Sequence, residues 1–347
     1  MKFTKKMTAA LLTAAILIAA AGCQSGQKKD ETTTTAAPKV AISIATLKGP
    51  TGMGMVKLMK NNEDGAAANN YTFAVESDPT VIGPMLIKGD VDIAACPLNM
   101  AAALYNKTKA TAETKDDVQL LAINTLGVLY VVENGSTVSG ISDLKGKTIF
   151  ASGQGATPEY ILNFILTSNG FDPNKDVTIE YKAEHSELAT LAVSGQAAIC
   201  VLPEPFVTTV LSKNKDLRVA LDLTQEWDKI GKAAGKETTL AMGALVVRTD
   251  FAKQNPAAIQ AFMQEYKASV DFVNANRDEA AALIAEKEII PSLELAKSAI
   301  PRSSLTFISS TEMKTIALQN FQVLFDANKV SVGGAIPPDE FFYNAQN

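Results

Sequence analysis

One pattern recurs in this chain and limits the folds open to it: a short β-branched strand, a glycine-rich turn, and a helix. The first copy runs from Val40 to Met59. Val40 to Leu47 is apolar, as suits a strand buried on both faces, and Met55, Leu58 and Met59 fall at helical spacing. Between them lies Lys48-Gly49-Pro50-Thr51-Gly52-Met53-Gly54, whose glycines permit positive φ and close approach of another group. Lys147 to Leu166 repeats the plan, with Thr157 as N-cap, Pro158 at the first helical position and Glu159 at the positive helix end. A further repeat lays Gly89–Pro97 without gaps on Gly195–Pro203. In both, a helical run ends at a glycine, a short strand follows, and a proline leads into another helix. Two copies of one α/β plan imply two similar lobes. A strand that ends in such a turn presents free backbone N–H groups and the positive end of a helix, the outline of a ligand cradle.

The N-terminus reads as a targeting segment. Lys2, Lys5 and Lys6 precede an apolar run, Ala9 to Ala21, too short to span a bilayer. The run ends Ala20-Ala21-Gly22-Cys23, which resembles the lipobox of bacterial lipoproteins, with alanine in place of the usual leucine at position 20. That resemblance implies cleavage after residue 22, lipid on Cys23, and attachment to the extracytoplasmic face of the cell membrane. Residues 23–38 are polar, with Lys28-Lys29-Asp30-Glu31 and a threonine run, and are expected to be a flexible tether.

Removing 22 residues leaves 325, enough for two lobes with separate cores, and takes three lysines from a formal charge of −5, leaving −8. With only four arginines and no basic cluster beyond the tether, nucleic-acid binding is not expected. Cys96 and Cys200 could pair in an exported protein, but the repeat puts them in different lobes, so they read as buried small hydrophobes. No clustered His/Cys spacing suggests a metal, and no cofactor is expected. The single histidine, His185, reads as a capping or surface residue outside the cleft.

In order, Tyr71–Ser77 alternates like a strand and Asp78-Pro79 caps a helix through Lys88. Asn99–Tyr105 is helical, and Lys107–Asp117 reads as loop. Val118–Glu133 is too long for one strand; broken at Asn124–Gly127, it crosses between lobes. The strands of the second lobe are Val177–Tyr181, Ala197–Leu202 and Leu217–Leu221. Thr239–Val247 carries the chain back, with the crossover at Met242-Gly243. Helices then follow at 257–276, 278–288, 292–300 and 312–327, the last opened by a Ser309/Glu312 capping box. The expected division is 39–127 with 244–347 as lobe I, and 128–243 as lobe II.

The succession of lipobox, threonine-rich tether, the strand at Val40, Gly-Asp-Val-Asp-Ile-Ala (89–94), Ile-Ser-Asp-Leu-Lys-Gly-Lys (141–147) and Leu-Pro-Glu-Pro-Phe (202–206) resembles the substrate-binding lipoproteins of ABC importers. The branch is that of nitrate, sulfonate, taurine and thiamine-precursor binders. The resemblance covers the mature chain. It implies an α/β, type II periplasmic-binding-protein fold and a monomer that delivers a small molecule to an ABC permease with its ATPase subunit. It places the ligand between the lobes, at the carboxyl ends of the parallel strands.

By family position the pocket would be lined by Lys48, Thr51, Gly52 and Met53, by Pro97, Leu98 and Asn99, and by Asn124 and Thr125. Lobe II would add Gln154, Gly155, Ala156, Thr157, Tyr160, Glu204 and Phe206, with Met242 on the return. Turn chemistry explains the Gly and Pro positions as well, and core packing competes at Met53, Phe206 and Met242. Glu204 discriminates most: either a helix-start carboxylate favoured by the dipole, or an acceptor for a ligand N–H or ammonium. The second reading favours a small organic molecule with N–H donors and an apolar or planar body on Tyr160 or Phe206, a zwitterionic sulfonate or a pyrimidine-like heterocycle. An enzyme of the same fold acting on a pyrimidine or carboxylated ring, and a ligand-sensing surface lipoprotein, are the alternatives. Without a nucleophile–base pair in the sequence reading, binding is preferred to catalysis.

Overall fold

The computed structural model describes residues 39–110, 118–154, 157–235 and 238–344. The expected signal segment, tether and Cys23 lie outside the described residues, as do Gly155 and Ala156.

Eleven strands among the described residues form two sheets. The chain first lays down β1 (Ala41–Leu47), β2 (Asn70–Glu76), β3 (Ile93–Pro97) and β4 (Val118–Leu126). It then builds β5 (Leu129–Asn134), β6 (Thr148–Ser152), β7 (Thr178–Lys182), β8 (Ile199–Pro203) and β9 (Leu217–Asp222). Finally it returns to add β10 (Ala241–Arg248) and β11 (Leu305–Ile308) to the first sheet. The first sheet is ordered β2-β1-β3-β10-β4-β11 and the second β7-β6-β8-β5-β9. Each begins with three parallel strands and continues into an antiparallel neighbour laid down just after a crossing, β10 in one and β5 in the other. The gapless repeat is thereby explained. β3 and β8 occupy the positions it assigns, and Cys96 opposes Ala244 as Cys200 opposes Val132. Both cysteines are buried and free.

Alternation within strands divides each core in two. Ile42 and Ile44 face Phe262 and Tyr266, whereas Ala45 and Leu47 face the side of Tyr105 and Phe321. In the second sheet Val131, Ile149 and Val201 pack with Leu162 and Trp227, and Val132, Cys200 and Leu202 with Leu188 and Val207. Strands covered on both faces by helices read as continuous apolar runs, which is why no polar alternation marks them in the sequence.

Several elements differ from the sequence reading. The Leu98–Ala110 helix extends into the segment read as loop. β4 continues to Leu126, so Asn124 and Thr125 belong to a strand. Met242 and Gly243 lie inside β10, where Gly243 pairs with Pro97, and the return crossing therefore precedes Ala241. The Leu223–Ala233 helix occupies a stretch left unassigned: Asp222 accepts from the Thr224 and Gln225 N–H groups, while Leu223 and Trp227 bury one turn apart. Ser309 precedes its helix but makes no side-chain cap bond, and Ser310 takes φ 58°.

Candidate functional site

The parallel strands of each sheet end on one edge, and the two edges meet. A Cβ placed on Gly49, just beyond β1, would lie 3.4 Å from Cδ of Pro205, just beyond β8. The junctions after β1 and β8 therefore lie side by side, the placement expected in an open α/β binding site.

On the first edge the three glycines have separate reasons. Gly49 takes φ 86°, a left-handed conformation that disfavours side chains. A Cβ on Gly52 would fall 2.2 Å from the Leu47 carbonyl oxygen, and one on Gly54 2.5 Å from the Tyr266 hydroxyl. Lys48 is exposed and Thr51 half-buried, both on the turn. Met53 and Leu98 are core residues, at 0% and 2% exposure, so packing and not ligand contact accounts for them. Asn124 is consumed internally: its amide donates to the Thr51 carbonyl (3.3 Å) and to Tyr266 Oη (3.1 Å), while its Oδ1 accepts from Thr125 (3.3 Å). Asn124 and Thr125 fill the space left by Gly243 and are buried. Pro97 and Asn99 are half-buried, and the Asn99 amide donates to the Ser331 carbonyl at 3.2 Å.

On the second edge, Gln154 is exposed and Thr157 half-buried at the start of the Thr157–Ser168 helix. Tyr160 is buried among first-sheet residues, and its hydroxyl accepts from the Asn328 amide at 2.8 Å; it is a contact between the two halves of the chain, not a free stacking face. Met242 packs half-buried against the second-sheet core. Glu204 differs most from expectation. Its Oε1 accepts from Arg302 Nε at 2.6 Å and from the Thr208 hydroxyl at 3.0 Å, and its Oε2 accepts from the Thr208 N–H at 3.2 Å. Burial pushes this carboxyl above the usual range, with Arg302 and Thr208 opposing. The sequence reading missed Arg302 as its partner because 98 residues separate them. With the carboxylate so engaged, the case for a ligand rich in N–H donors loses its support.

Two residues gain importance in its place. His185 opens the His185–Val193 helix directly after β7, and its Nδ1 lies 2.6 Å from Oγ of Ser152, the last residue of β6. Its ring stands 5.5 Å from Phe206, the first residue of the helix after β8. Three successive strand–helix junctions thus converge on one half-buried imidazole, which the sequence reading had placed outside the cleft. Burial lowers its pKa, with Glu184 opposing. Nε2 makes no hydrogen bond to the described residues. The signal was present in the sequence: His185 falls between a strand ending at Tyr181 and a helix beginning near Glu187. The Ser152–His185 pair does not make a nucleophile and base. Ser152 is 2% exposed, and no third group among the described residues orients the imidazole through Nε2.

Among the described residues there is no group of three His, Cys, Asp or Glu able to hold a metal, and no helix is long and apolar enough to cross a membrane.

An ABC-transporter protein from Parabacteroides distasonis shares 23% identity over 88% of this chain and 99% of its own, with a TM-score of 0.72. The aliphatic sulphonate binding protein SsuA of Escherichia coli matches at 16% identity over 85% and 94% of the two chains, with a TM-score of 0.64. The nitrate-binding protein NrtA of Synechocystis PCC 6803 matches at 13% over 88% and 85%, with a TM-score of 0.57. These likenesses show the periplasmic-binding-protein fold that the family resemblance implies. No curated protein matches. The model of the ABC-transporter phosphonate periplasmic substrate-binding protein matches residues 71–290, more than half of the chain. The chain therefore belongs to the family of phosphonate-type periplasmic substrate-binding proteins of ABC transporters.

Proposed function

We propose that this protein captures a small organic oxyanion, a phosphonate or sulfonate with a short apolar body, between two lobes built on its two sheets. The observation that carries the reading is the junction cluster of Ser152, His185 and Phe206. Ser152 fixes one imidazole nitrogen and leaves the other for a ligand oxygen, and Phe206 offers an apolar face beside it. Lys48 would supply positive charge from the opposite edge; the Gly49, Gly52 and Met53 N–H groups of its turn donate to backbone carbonyls of the chain. Relatives in fold that are named for sulphonate and nitrate agree with an anionic ligand. Each edge holds only half of these groups, so binding draws the lobes together, and the closed shape is what the permease and its ATPase read. The chain would work as a monomer tethered through lipid on Cys23, and it would bind without changing its ligand.

Titration calorimetry with methylphosphonate, ethanesulfonate, taurine, nitrate and a free pyrimidine tests the ligand class. The organic oxyanions should bind. An anion beside His185 favours the imidazolium, whose pKa burial has lowered. Affinity should therefore rise as pH falls from about 7.5 towards 5.5. His185→Gln should remove that pH dependence and weaken binding by about 1 kcal/mol or more. Binding of the pyrimidine alone, or oxyanion binding indifferent to His185→Gln, would overturn the reading.

A further inference from the structure

We propose that Glu204 and Arg302 form a clasp across the hinge that limits how far the lobes open, and so sets ligand affinity without touching the ligand. The inference rests on the two-lobe reading above and adds a residue pair to it. The first crossing between the sheets is the short segment from Leu126 to Leu129. On one side of Gly127, the Leu126 N–H donates to the Ser304 carbonyl at 3.0 Å. On the other, the Val128 carbonyl accepts from the Glu204 N–H, also at 3.0 Å. The two ends of the ion pair are thus anchored on opposite flanks of one glycine, and rotation of the backbone there must move residue 204 relative to residue 302.

The link is more than a single contact. The Arg302 guanidinium donates through Nε to Glu204 Oε1 and through Nη2 to Thr208 Oγ1 at 2.7 Å, while the Thr208 hydroxyl donates to the same carboxylate. Tyr130, second residue of β5, donates to the Arg302 carbonyl at 3.1 Å. The pair is also asymmetric in exposure: the Glu204 side chain is 0% exposed and that of Arg302 31%. Withdrawing Arg302 would let its own guanidinium hydrate but would leave a buried carboxylate without its cation, which is the costly half of breaking such a pair. Only glycine fits at this point of the hinge, because a Cβ there would sit 1.9 Å from Thr224 Oγ1. At the end of the return crossing, Asn320 donates to the Thr239 carbonyl at 2.8 Å and accepts from the Ala241 N–H at 3.1 Å, which ties that stretch to the Ser310–Ala327 helix.

The test compares the wild-type chain with Arg302→Gln and the milder Thr208→Val, without ligand, by small-angle scattering and amide hydrogen exchange. Both variants should show a broader distribution of interatomic distances. Exchange should quicken about tenfold at the Leu126 and Glu204 amides, while β3 and β8 amides keep their protection. Should Arg302→Gln fail to fold, Thr208→Val decides the matter alone. Unchanged distances, or a uniform loss of protection that includes β3 and β8, would overturn the clasp and leave a static interface. Scattering of the wild-type chain with and without methylphosphonate tests closure separately, so failure of the ligand reading and failure of the clasp give different results.

Discussion

Glycine 52 is required by space and glycine 83 is not, although both open or occupy short helices. A Cβ at position 52 would collide with the Leu47 carbonyl at 2.2 Å, a main-chain atom, whereas at position 83 it would meet the Leu104 methyl at 3.6 Å, besides the ring of the following Pro84. Gly52→Ala should therefore lower stability by about 1–3 kcal/mol, as overpacking does. Gly83→Ala, inside the Ile82–Lys88 helix, should change it by less than about 1 kcal/mol, because the gain in helix propensity is opposed by the contact of a Cβ with the following Pro84 ring. Urea unfolding of the two variants checks the contrast, and equal effects would refute it. Both glycines look alike in the sequence, because whether a Cβ fits depends on atoms brought near by folding. The same holds at Glu204. A helix-start carboxylate was legible, but its cation arrives from Arg302, far along the chain.

At the scale of elements, the repeated strands are legible locally, whereas the break at Asn124 and the Ser309 cap are not borne out. β3 and β8 fall where the gapless match puts them, because strands buried on both faces carry continuous apolar runs and the flanking glycines and prolines mark their ends. The Leu223–Ala233 helix was passed over because its polar residues outweigh the two apolar positions that bury, Leu223 and Trp227. Its start depends on Asp222, which accepts from two N–H groups of the first turn at 2.9 and 3.3 Å. Asp222→Ala should cost about 1 kcal/mol, read by thermal unfolding, and an unchanged midpoint would mean that packing of Trp227 alone holds the helix.

For the whole molecule, we propose that the first 23 residues direct export and lipid anchoring. Cys23→Ala should yield a precursor without lipid, seen by intact mass, and a mature wild-type chain that begins elsewhere without lipid would refute the anchor. The repeat of strand, turn and helix determined by itself that there would be two α/β halves, since hydrophobic periodicity and glycine punctuation act within a dozen residues. The same local signals placed the turns, although the Gly49, Gly52 and Met53 N–H groups expected to be free donate to backbone carbonyls of the chain. What only the tertiary structure decided is which side chains those turns leave available. Met53, Asn124, Thr125, Tyr160 and Glu204 are taken by the core or by partners from distant segments, while His185 is delivered to the edge by the parallel pairing of β6 with β7 and β8. Long-range pairing of this kind is set by packing and desolvation across the fold, and neither leaves a mark in the neighbouring residues.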